Sequence, residues 1–519
     1  MTTPSDDERR SVNVAWWVRD RAVSDPDRPA VREGGTLLTY ADLDAASAAF
    51  AATLREHGVT PGDRVALIAP NVAAFPVAYY AILRAGAVVV PMNPLLKSGE
   101  IAYTWRNCGA GVAVVLTPFL PEARRAAEAT GTTVLELATD DAERLAAETD
   151  ADRAVVERGV GDTAVILYTS GTTGRPKGAE LTFANVRSNV LTTVETLFRN
   201  GPDDVLFGGL PLFHSFGQTC ALNASVAGGS LLTLLPRFAG RQALDVVARD
   251  RVTVFLGVPT MYMALLATPG REQADTGSVR LGVSGGASLP VEVLRGVEEA
   301  FGFAVLEGYG LSETSPVASF NHPDRPTKPG SVGLPIRGVE LALHRPRHDD
   351  DAVGEAPVAE ADPEVGKDEI GEIVIRGENV MKGYWDDPAA TAEAMRGGWF
   401  HTGDLATRDA DGYYFIVDRV KDLIIRNGFN VYPREVEEVL YAHPAVAEAA
   451  VLGVPDPTHG EEVAALVQLR DGASATADEL RDFVAERIAA FKYPRVIAFG
   501  TIPKGPTGKI LKREIIIER

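Results

Sequence analysis

A dense run of small polar residues follows a short apolar segment in the first third of the chain. Residues 164–167 (AVIL) predict a strand, and residues 168–178 read YTSGTTGRPKG. Glycines let backbone N–H groups crowd around an anion, hydroxyls donate further hydrogen bonds, and a lysine supplies charge. The run therefore predicts a cradle for a polyphosphate, although it lacks the spacing of a Walker A loop. Its candidate binding residues are Thr169, Ser170, Gly171, Thr172, Thr173, Gly174 and Lys177.

Further blocks of glycine, hydroxyl, aromatic and charged residues follow this run in order. They are residues 211–217 (PLFHSFG), 284–287 (SGGA), 308–314 (GYGLSET), 399–405 (WFHTGDL), 418–422 (DRVKD), 428–435 (GFNVYPRE) and 503–509 (PKGPTGK). Together with the first run, they resemble the adenylate-forming superfamily of acyl- and aryl-CoA synthetases, luciferases and peptide-synthetase adenylation domains. The resemblance covers essentially the whole chain and looks closest to fatty-acid- or aryl-acid-CoA ligases.

The resemblance implies a ligase that uses ATP, Mg²⁺ and coenzyme A. A carboxylate is a poor electrophile, so it is first joined to AMP as a mixed anhydride, and two anions must meet while charge builds on the phosphate oxygens. Lys509 would bridge the carboxylate and the α-phosphate. Ser312, where the family usually has threonine, would donate to the α-phosphate. Glu313, with Thr169, would hold the metal ion.

The same resemblance implies where the nucleotide and the acyl group bind. Asp404 would accept the ribose hydroxyls with help from Arg419, because a carboxylate accepts two vicinal O–H groups well. Tyr309 would stack on adenine, with Ile416 on the other face of the ring. The remaining nucleotide candidates are Gly286, Ala287, Glu307, Gly308 and Gly310. The acyl pocket candidates are His214, Phe216, Val258, Gly285 and Gly310.

The thioester-forming step needs a different arrangement of the last hundred residues. Lys509 must withdraw so that the thiol of coenzyme A can enter. Lys421 aligns with the hinge of the family, and Gly428 and Phe429 would face the pantetheine tunnel after the rotation. The apolar residues 257–261 and the small Gly285 and Gly286 favour a hydrophobic acid, either fatty, aryl or a natural product.

The elements that must position these residues alternate strand and helix. Apolar runs at 64–68, 87–91, 112–116 and 132–135 predict strands separated by helices, which indicates crossover units and a mostly parallel sheet. The pattern repeats over 204–307, and β-rich segments follow residue 334. We therefore expect an α/β fold. An N-terminal domain (1–420) would stack α/β subdomains on a β-rich one, and a small mobile α+β domain (421–519) would follow.

Composition and net charge limit the classes of molecule that the protein is expected to bind. The chain of 519 residues has 45% hydrophobic residues and a net charge of −20. That charge disfavours nucleic acid and anionic membrane surfaces, although local Lys, Arg or Mg²⁺ can still attract an anionic substrate. With two cysteines, a polar start and no long apolar segment, the chain is expected in the cytoplasm, without a spanning helix. Its partners would be small molecules, and it would be a monomer or homodimer.

Three alternatives compete with this interpretation. Residues 282–286 (GVSGG) fit the Gly-x-Ser-x-Gly elbow of serine hydrolases, but the next helix is expected only near residues 288–290. The second alternative is a dinucleotide-binding oxidoreductase. Residues 308–310 (GYG) match the start of its Gly-x-Gly-x-x-Gly fingerprint, but Glu313 occupies the position of the third glycine. The third alternative is an acyl-AMP ligase that hands its adenylate to a carrier protein or another partner instead of coenzyme A.

Overall fold

The computed structural model describes residues 12–148, 150–169, 175–345, 364–366, 369–505 and 508–517. Within them the α-helices are α1 (Ala15–Ser24), α2 (Tyr40–Glu56), α3 (Ala74–Arg84), α4 (Ser98–Cys108), α5 (Leu120–Thr130), α6 (Asp141–Ala146), α7 (Phe183–Thr192), α8 (Ala224–Gly228), α9 (Gly240–Asp250), α10 (Pro259–Leu266), α11 (Val291–Phe301), α12 (Pro388–Ala394), α13 (Pro433–Tyr441) and α14 (Ala477–Ala485). Two π-helical segments, Thr193–Phe198 and Gly217–Asn223, also occur.

The strands, again in chain order, are β1 (Pro29–Glu33), β2 (Thr36–Thr39), β3 (Arg64–Ile68), β4 (Val88–Met92), β5 (Val112–Leu116), β6 (Thr133–Leu137), β7 (Thr163–Thr169), β8 (Lys177–Thr182), β9 (Val205–Gly208), β10 (Leu231–Leu234), β11 (Val254–Gly257), β12 (Leu281–Ser284), β13 (Val305–Gly310), β14 (Val317–Phe320), β15 (Leu334–Pro335), β16 (Val339–His344), β17 (Gly371–Gly377), β18 (Gly383–Tyr384), β19 (Met395–Arg396), β20 (Trp399–Arg408), β21 (Tyr414–Arg419), β22 (Ile424–Arg426), β23 (Phe429–Val431), β24 (Val446–Asp456), β25 (Gly460–Leu469) and β26 (Val496–Phe499).

Two large, mostly parallel sheets carry the N-terminal domain. One has the order β18-β8-β7-β4-β3-β5-β6, and the other has the order β15-β14-β13-β12-β11-β9-β10-β1-β2. Their central strands are apolar runs; every residue of β5, for example, is buried. Fully buried strands of this kind are typical of parallel sheets whose two faces are covered by helices. The connecting helices begin where local chemistry favours it: Thr39 caps α2 by accepting a hydrogen bond from the N–H of Asp42 at 3.1 Å.

A third sheet and a separate small domain complete the molecule. β16, β17, β20, β19 and β21 form an antiparallel sheet, and β22 to β26 form the sheet of the C-terminal domain. The C-terminal sheet packs with α13 and α14 around its own apolar core, which includes Val436, Val451 and Leu480. The predicted fold class of a large α/β domain with a smaller α+β domain is confirmed. The expected boundary at residue 420 lies between β21 and β22, which belong to different sheets.

The predicted elements agree with the observed ones most closely where breakers flank an apolar run. The strands expected at 64–68 and 112–116 are β3 and β5 without any shift. Helix α14 begins at Ala477, where the hydroxyl of Thr476 accepts a hydrogen bond from the N–H of Glu479 at 3.2 Å, and it ends at Ala485. In the part of the chain that the structure describes, no helix is both long and apolar enough to cross a bilayer.

Candidate active site

A single cavity of about 1230 Å³ lies where the carboxyl ends of strands from both large sheets meet the C-terminal domain. Its walls include Thr169 at the end of β7, Ser284 at the end of β12 and Gly310 at the end of β13. Open α/β sheets bind their ligands in the crevice at this edge. Gly505 and Lys509 line the same cavity from the C-terminal domain, so both domains contribute to one site.

The polyphosphate-cradle run joins two antiparallel strands. Thr169 and Lys177 are paired at the adjoining ends of β7 and β8, and both line the cavity. The ammonium of Lys177 lies 5.4 Å from the ring centroid of Tyr384. Ser170, Gly171, Thr172, Thr173 and Gly174 lie outside the described residues. The hairpin thus brings one hydroxyl and one cation of the run to the cavity wall.

Glu313 is a buried carboxylate among hydroxyl groups. Its Oε1 accepts a hydrogen bond from Tyr384 Oη at 3.0 Å, and Thr169 Oγ1 lies 3.4 Å away. Burial raises the pKa of Glu313. A cation beside this carboxylate would favour its charged form. Carboxylate and hydroxyl oxygens are hard donors that suit Mg²⁺, which usually takes only one or two protein carboxylates beside phosphate oxygens and water. Glu313 and Thr169 therefore fit a magnesium site. Ser312 Oγ lies 3.5 Å from Ser215 Oγ on the same wall.

The candidates for the nucleoside lie on neighbouring strands. Tyr309 Oη donates to Asp404 Oδ2 at 2.6 Å, and Arg419 Nε lies 2.9 Å from Asp404 Oδ1. Asp404 is buried behind Tyr309 and Arg419, which line the cavity together with Gly286, Ala287, Gly308 and Gly310. Ile416 is half-buried against the main core, outside the cavity lining. The carboxylate of Asp404 is thus held by a phenol on one oxygen and a guanidinium on the other.

Glu307 is also buried and does not line the cavity. Its Oε1 accepts a hydrogen bond from the N–H of Leu289 at 2.9 Å. Burial raises the pKa of Glu307 to about 7, and the charge of Arg434 in the C-terminal domain acts in the opposite direction. The structure therefore places this nucleotide candidate at the contact between domains instead of on the cavity wall.

The other end of the cavity is apolar. The candidates His214, Phe216, Val258, Gly285 and Gly310 all line the cavity. The apolar end also contains residues that sequence motifs did not indicate, namely Phe198, Cys220, Val283, Val317 and Phe320. The rings of Phe198 and Phe320 lie 6.1 Å apart, and both side chains are almost completely buried.

His214 lines the cavity and is close enough to Lys509 to be affected by its charge. Burial, together with the charge of Lys509, lowers the pKa of His214 to about 4. Its Nδ1 accepts a hydrogen bond from the N–H of Phe216 at 3.3 Å, which leaves the proton on Nε2. His214 is therefore a neutral donor at physiological pH.

Lys509 reaches the cavity on a tight loop. Gly505 donates its N–H to the carbonyl of Lys509 at 2.8 Å, and Gly508 has a φ of +79°. A Cβ on Gly508 would lie 2.5 Å from Thr260 Oγ1 of α10, so the loop touches the large domain directly. Burial lowers the pKa of Lys509 to about 8, and the charge of Arg419 adds to this effect.

Comparisons with known proteins agree with this arrangement. The family model "AMP-binding enzyme" matches residues 18–385, and "AMP-binding enzyme C-terminal domain" matches residues 435–509. The chain belongs to the family of AMP-binding enzymes.

Individual members of the family are similar over nearly their full length. A feruloyl-CoA synthase from Amycolatopsis sp is 39% identical, with 98% of this chain and 99% of the relative covered. A long-chain-fatty-acid–CoA ligase from Bacillus subtilis (strain 168) is 36% identical, with 96% and 93% covered. The crystal structure of ATP-bound MatB from Rhodopseudomonas palustris superposes with a TM-score of 0.88 at 36% identity, covering 97% of this chain and 98% of that one. The resemblance stated from the motifs is confirmed, and this AMP-binding enzyme is an acyl-CoA synthetase.

The hinge and coenzyme A candidates of this AMP-binding enzyme lie in different surroundings. Lys421 follows β21 in the 3₁₀ segment Val420–Asp422 and lines the cavity. Gly428 and Phe429 lie at the turn between β22 and β23, away from the cavity lining. The side chain of Phe429 is 57% exposed. The structure therefore does not bring these two residues to the site in this domain arrangement.

The hydrolase alternative lacks the geometry that it needs. Ser284 is fully buried, and its Oγ has no hydrogen-bond partner among the described residues. Helix α11 begins only at Val291, whereas a nucleophile elbow requires a helix directly after the serine.

Proposed function

We propose that this AMP-binding enzyme joins ATP and a hydrophobic carboxylic acid into an acyl adenylate and then transfers the acyl group to coenzyme A. The observation that carries the proposal is that Lys509 lines one cavity together with the residues of the apolar end and with the polar residues Glu313 and Arg419. The apolar end suits the acyl tail, and the polar end suits ATP. A supply of ATP and coenzyme A makes the cytoplasm the expected compartment.

In the first step, a carboxylate oxygen attacks the α-phosphorus. A bond forms between that oxygen and phosphorus, the bond from the α-phosphorus to the bridging oxygen breaks, and pyrophosphate leaves. The ammonium of Lys509 would offset the charge of both anions, and the Ser312 hydroxyl would donate to an α-phosphate oxygen. Such preorganised donors are usually the largest catalytic contribution, and removal of one costs roughly 10²–10³ in rate. Mg²⁺ held by Glu313 and Thr169 would shield the phosphate charge.

The nucleoside would be fixed by the group around Asp404. The ribose hydroxyls would donate to Asp404, whose oxygens are already oriented by Tyr309 and Arg419. Each carboxylate oxygen has two lone pairs, so both can accept a further hydrogen bond. Tyr309 and the small residues 286, 287 and 308 would hold adenine. This orientation would direct the α-phosphate toward Lys509, on which the charges of Arg419 and Asp404 act.

In the second step, the thiolate of coenzyme A attacks the carbonyl carbon of the adenylate. A carbon–sulfur bond forms, the carbon–oxygen bond breaks, and AMP leaves. Because Lys509 lines the cavity in this arrangement, we expect the C-terminal domain (421–519) to rotate about Lys421 relative to residues 1–420 and so to open a path for the thiol. That rotation would bring Gly428 and Phe429 to the pantetheine. The exposure of Phe429 supports this proposal.

The acid is expected to be apolar beyond its carboxylate. The aromatic and aliphatic residues of the apolar end offer no partner for a second carboxylate or an ammonium, and burying an unpaired charge is costly. Among the relatives, a feruloyl-CoA synthase and a long-chain-fatty-acid–CoA ligase have names that specify hydrophobic acids. We therefore propose aryl, arylpropenoic and fatty acids as the substrate class.

The test is ATP–pyrophosphate exchange across a panel of arylpropenoic, benzoic, medium-chain, long-chain, dicarboxylic and amino acids. We expect exchange with hydrophobic monocarboxylates only, and formation of an acyl-CoA when coenzyme A is added. Lys509→Ala should lower exchange roughly 10²- to 10³-fold. It should still convert a synthetic acyl adenylate and coenzyme A to the thioester. Absence of exchange with every acid would overturn the proposal. Loading of a carrier protein in place of coenzyme A would overturn its second step.

A further inference from the structure

The first turn of α13 joins the C-terminal domain to the last strand of the large domain. The backbone N–H of Arg434 donates to Asp418 Oδ2 at 3.0 Å. The guanidinium of Arg434 donates through Nη1 to the carbonyl oxygen of Ile416. The side chain of Arg434 is 14% exposed, so water screens these contacts only weakly. Both acceptors lie on β21, and Arg434 lies beyond the proposed hinge at Lys421.

A second pair of contacts surrounds the same arginine. Burial raises the pKa of Glu438, one turn along α13, and the backbone N–H of Val291, where α11 of the large domain begins, acts in the opposite direction. Arg434 Nε lies 3.8 Å from Glu438 Oε1. Glu307 of β13 has a buried Oε2 without a hydrogen-bond partner among the described residues, and Arg434 supplies the positive charge that favours its ionised form. Arg434 thus lies beside Glu438 of its own domain, and its charge also acts on Glu307 of the large domain.

These contacts span the hinge and end on the strands that hold the nucleoside candidates. Ile416 and Asp418 precede Arg419 on β21, and Glu307 precedes Tyr309 on β13. Asp418 and Glu307 belong to the large domain, whereas Arg434 and Glu438 move with the C-terminal domain. A rotation about Lys421 changes the distances between the two pairs. The contacts therefore belong to the arrangement in which Lys509 lines the cavity.

We propose that Arg434 is a positioning residue that holds the C-terminal domain in the adenylate-forming arrangement. The inference rests on the proposed function. Arg434 acts through Lys509: it fixes the domain that delivers the ammonium to the cavity and touches neither substrate. Its loss shifts the domain equilibrium away from this arrangement, and the fraction of enzyme competent for the first step falls in proportion.

The experiment compares the two half-reactions in Arg434→Ala. Adenylation is followed by ATP–pyrophosphate exchange, and thioester formation is followed with a synthetic acyl adenylate and coenzyme A. Hydrogen bonds from a charged group are worth enough to predict a roughly tenfold to hundredfold loss of exchange. Thioester formation should be unchanged or faster, because it needs the other arrangement. A residue that only supports the folded state would lower both half-reactions together.

Two further variants complete the design. Lys492→Ala removes the ion pair that Lys492 makes at 2.7 Å with Glu435 of α13. Both residues belong to the C-terminal domain. We expect this substitution to leave both half-reactions unchanged. Glu438→Gln should also lower pyrophosphate exchange and spare thioester formation. It tests the proposal if Arg434→Ala does not fold. Equal loss in both half-reactions, or no loss of exchange, overturns the proposal. If instead none of the acids in the panel supports pyrophosphate exchange by the wild-type enzyme, the proposed function itself is overturned.

Discussion

Lys509 shows how burial and catalysis make opposite demands on one side chain. The proposed role needs the ammonium, whereas burial favours the neutral amine and lowers the pKa of Lys509 to about 8. As pH rises through that value, the free enzyme loses the cation. We therefore predict that kcat/KM for ATP in the exchange reaction falls above about pH 8, since kcat/KM reports the free enzyme.

Lys509→Arg tests whether this lysine causes the fall. Arginine stays protonated throughout the accessible pH range, so the variant should be slower but should lack the decline above pH 8. Wild-type activity that stays level to pH 10, or a decline that persists unchanged in Lys509→Arg, would contradict the assignment.

Gly285 leaves space for the acid because it has no side chain. A Cβ at this position would lie 3.2 Å from Phe216 Cε1 and 3.4 Å from the carbonyl oxygen of Gly308. Gly285→Ala should therefore push Phe216 into the apolar end and raise KM for the acid about tenfold, with KM for ATP nearly unchanged. Steady-state kinetics with the best acid measures both. Gly111→Ala, whose Cβ meets nothing within 4 Å, is the matched control. Equal effects on both KM values would contradict the prediction.

At the scale of elements, the loop that carries Lys509 depends on a glycine. Gly508 has a φ of +79°, and its Cβ would meet both Thr260 Oγ1 at 2.5 Å and Val258 Cγ2 at 3.0 Å. Gly508→Ala should keep the loop from docking and lower pyrophosphate exchange roughly 10- to 100-fold, because a displacement of about 1 Å can cost that much. Thioester formation from a synthetic adenylate should be spared.

A substitution at a second glycine distinguishes the effect of the clash at Gly508 from the effect of backbone strain. Gly472 in the same domain has a φ of +76°, but its Cβ would meet nothing within 4 Å. Gly472→Ala carries a comparable conformational cost without the contact to α10, so exchange should be unaffected. If the two variants lose the same exchange activity, docking of the loop is not the cause.

Elements whose signal is local could be predicted from the sequence. β3 and β5 are short apolar runs between breakers, and the motif blocks lie at strand ends, so Thr169, Ser284 and Gly310 could be expected at one edge of the sheets. Phe198, Cys220 and Phe320 have no motif and reach the cavity only through tertiary packing. The π-helical Gly217–Asn223 has no sequence signal that distinguishes it from an α-helix. Glu307 directly precedes the 308–314 block, yet it does not line the cavity, and the charge of Arg434 in the C-terminal domain acts on it.

At the scale of the whole molecule, the cavity differs in charge from the protein around it. The chain has a net charge of −20, which repels ATP and coenzyme A at long range. The cavity lining gathers the cations Lys177, Arg396, Arg419, Lys421, Lys509 and Arg513 against Glu100, Glu313, Glu372, Glu393 and Glu514. The site is therefore close to charge balance. Lys421, Lys509 and Arg513 follow β21, so their contribution depends on how the C-terminal domain is docked.

Phe429 on the surface of the C-terminal domain offers a test of the second half-reaction, as Lys509 does of the first. Phe429 is 57% exposed here, and the proposed rotation would bury it beside the pantetheine. Complete burial of such a side chain is worth about 1.5–3 kcal/mol, so Phe429→Ala should slow thioester formation about tenfold or more and leave pyrophosphate exchange intact. Phe499→Ala, at an aromatic of the same domain that is 44% exposed, should leave both half-reactions unchanged. If Phe429→Ala lowers exchange while sparing the thioester step, the C-terminal domain does not present this surface to coenzyme A.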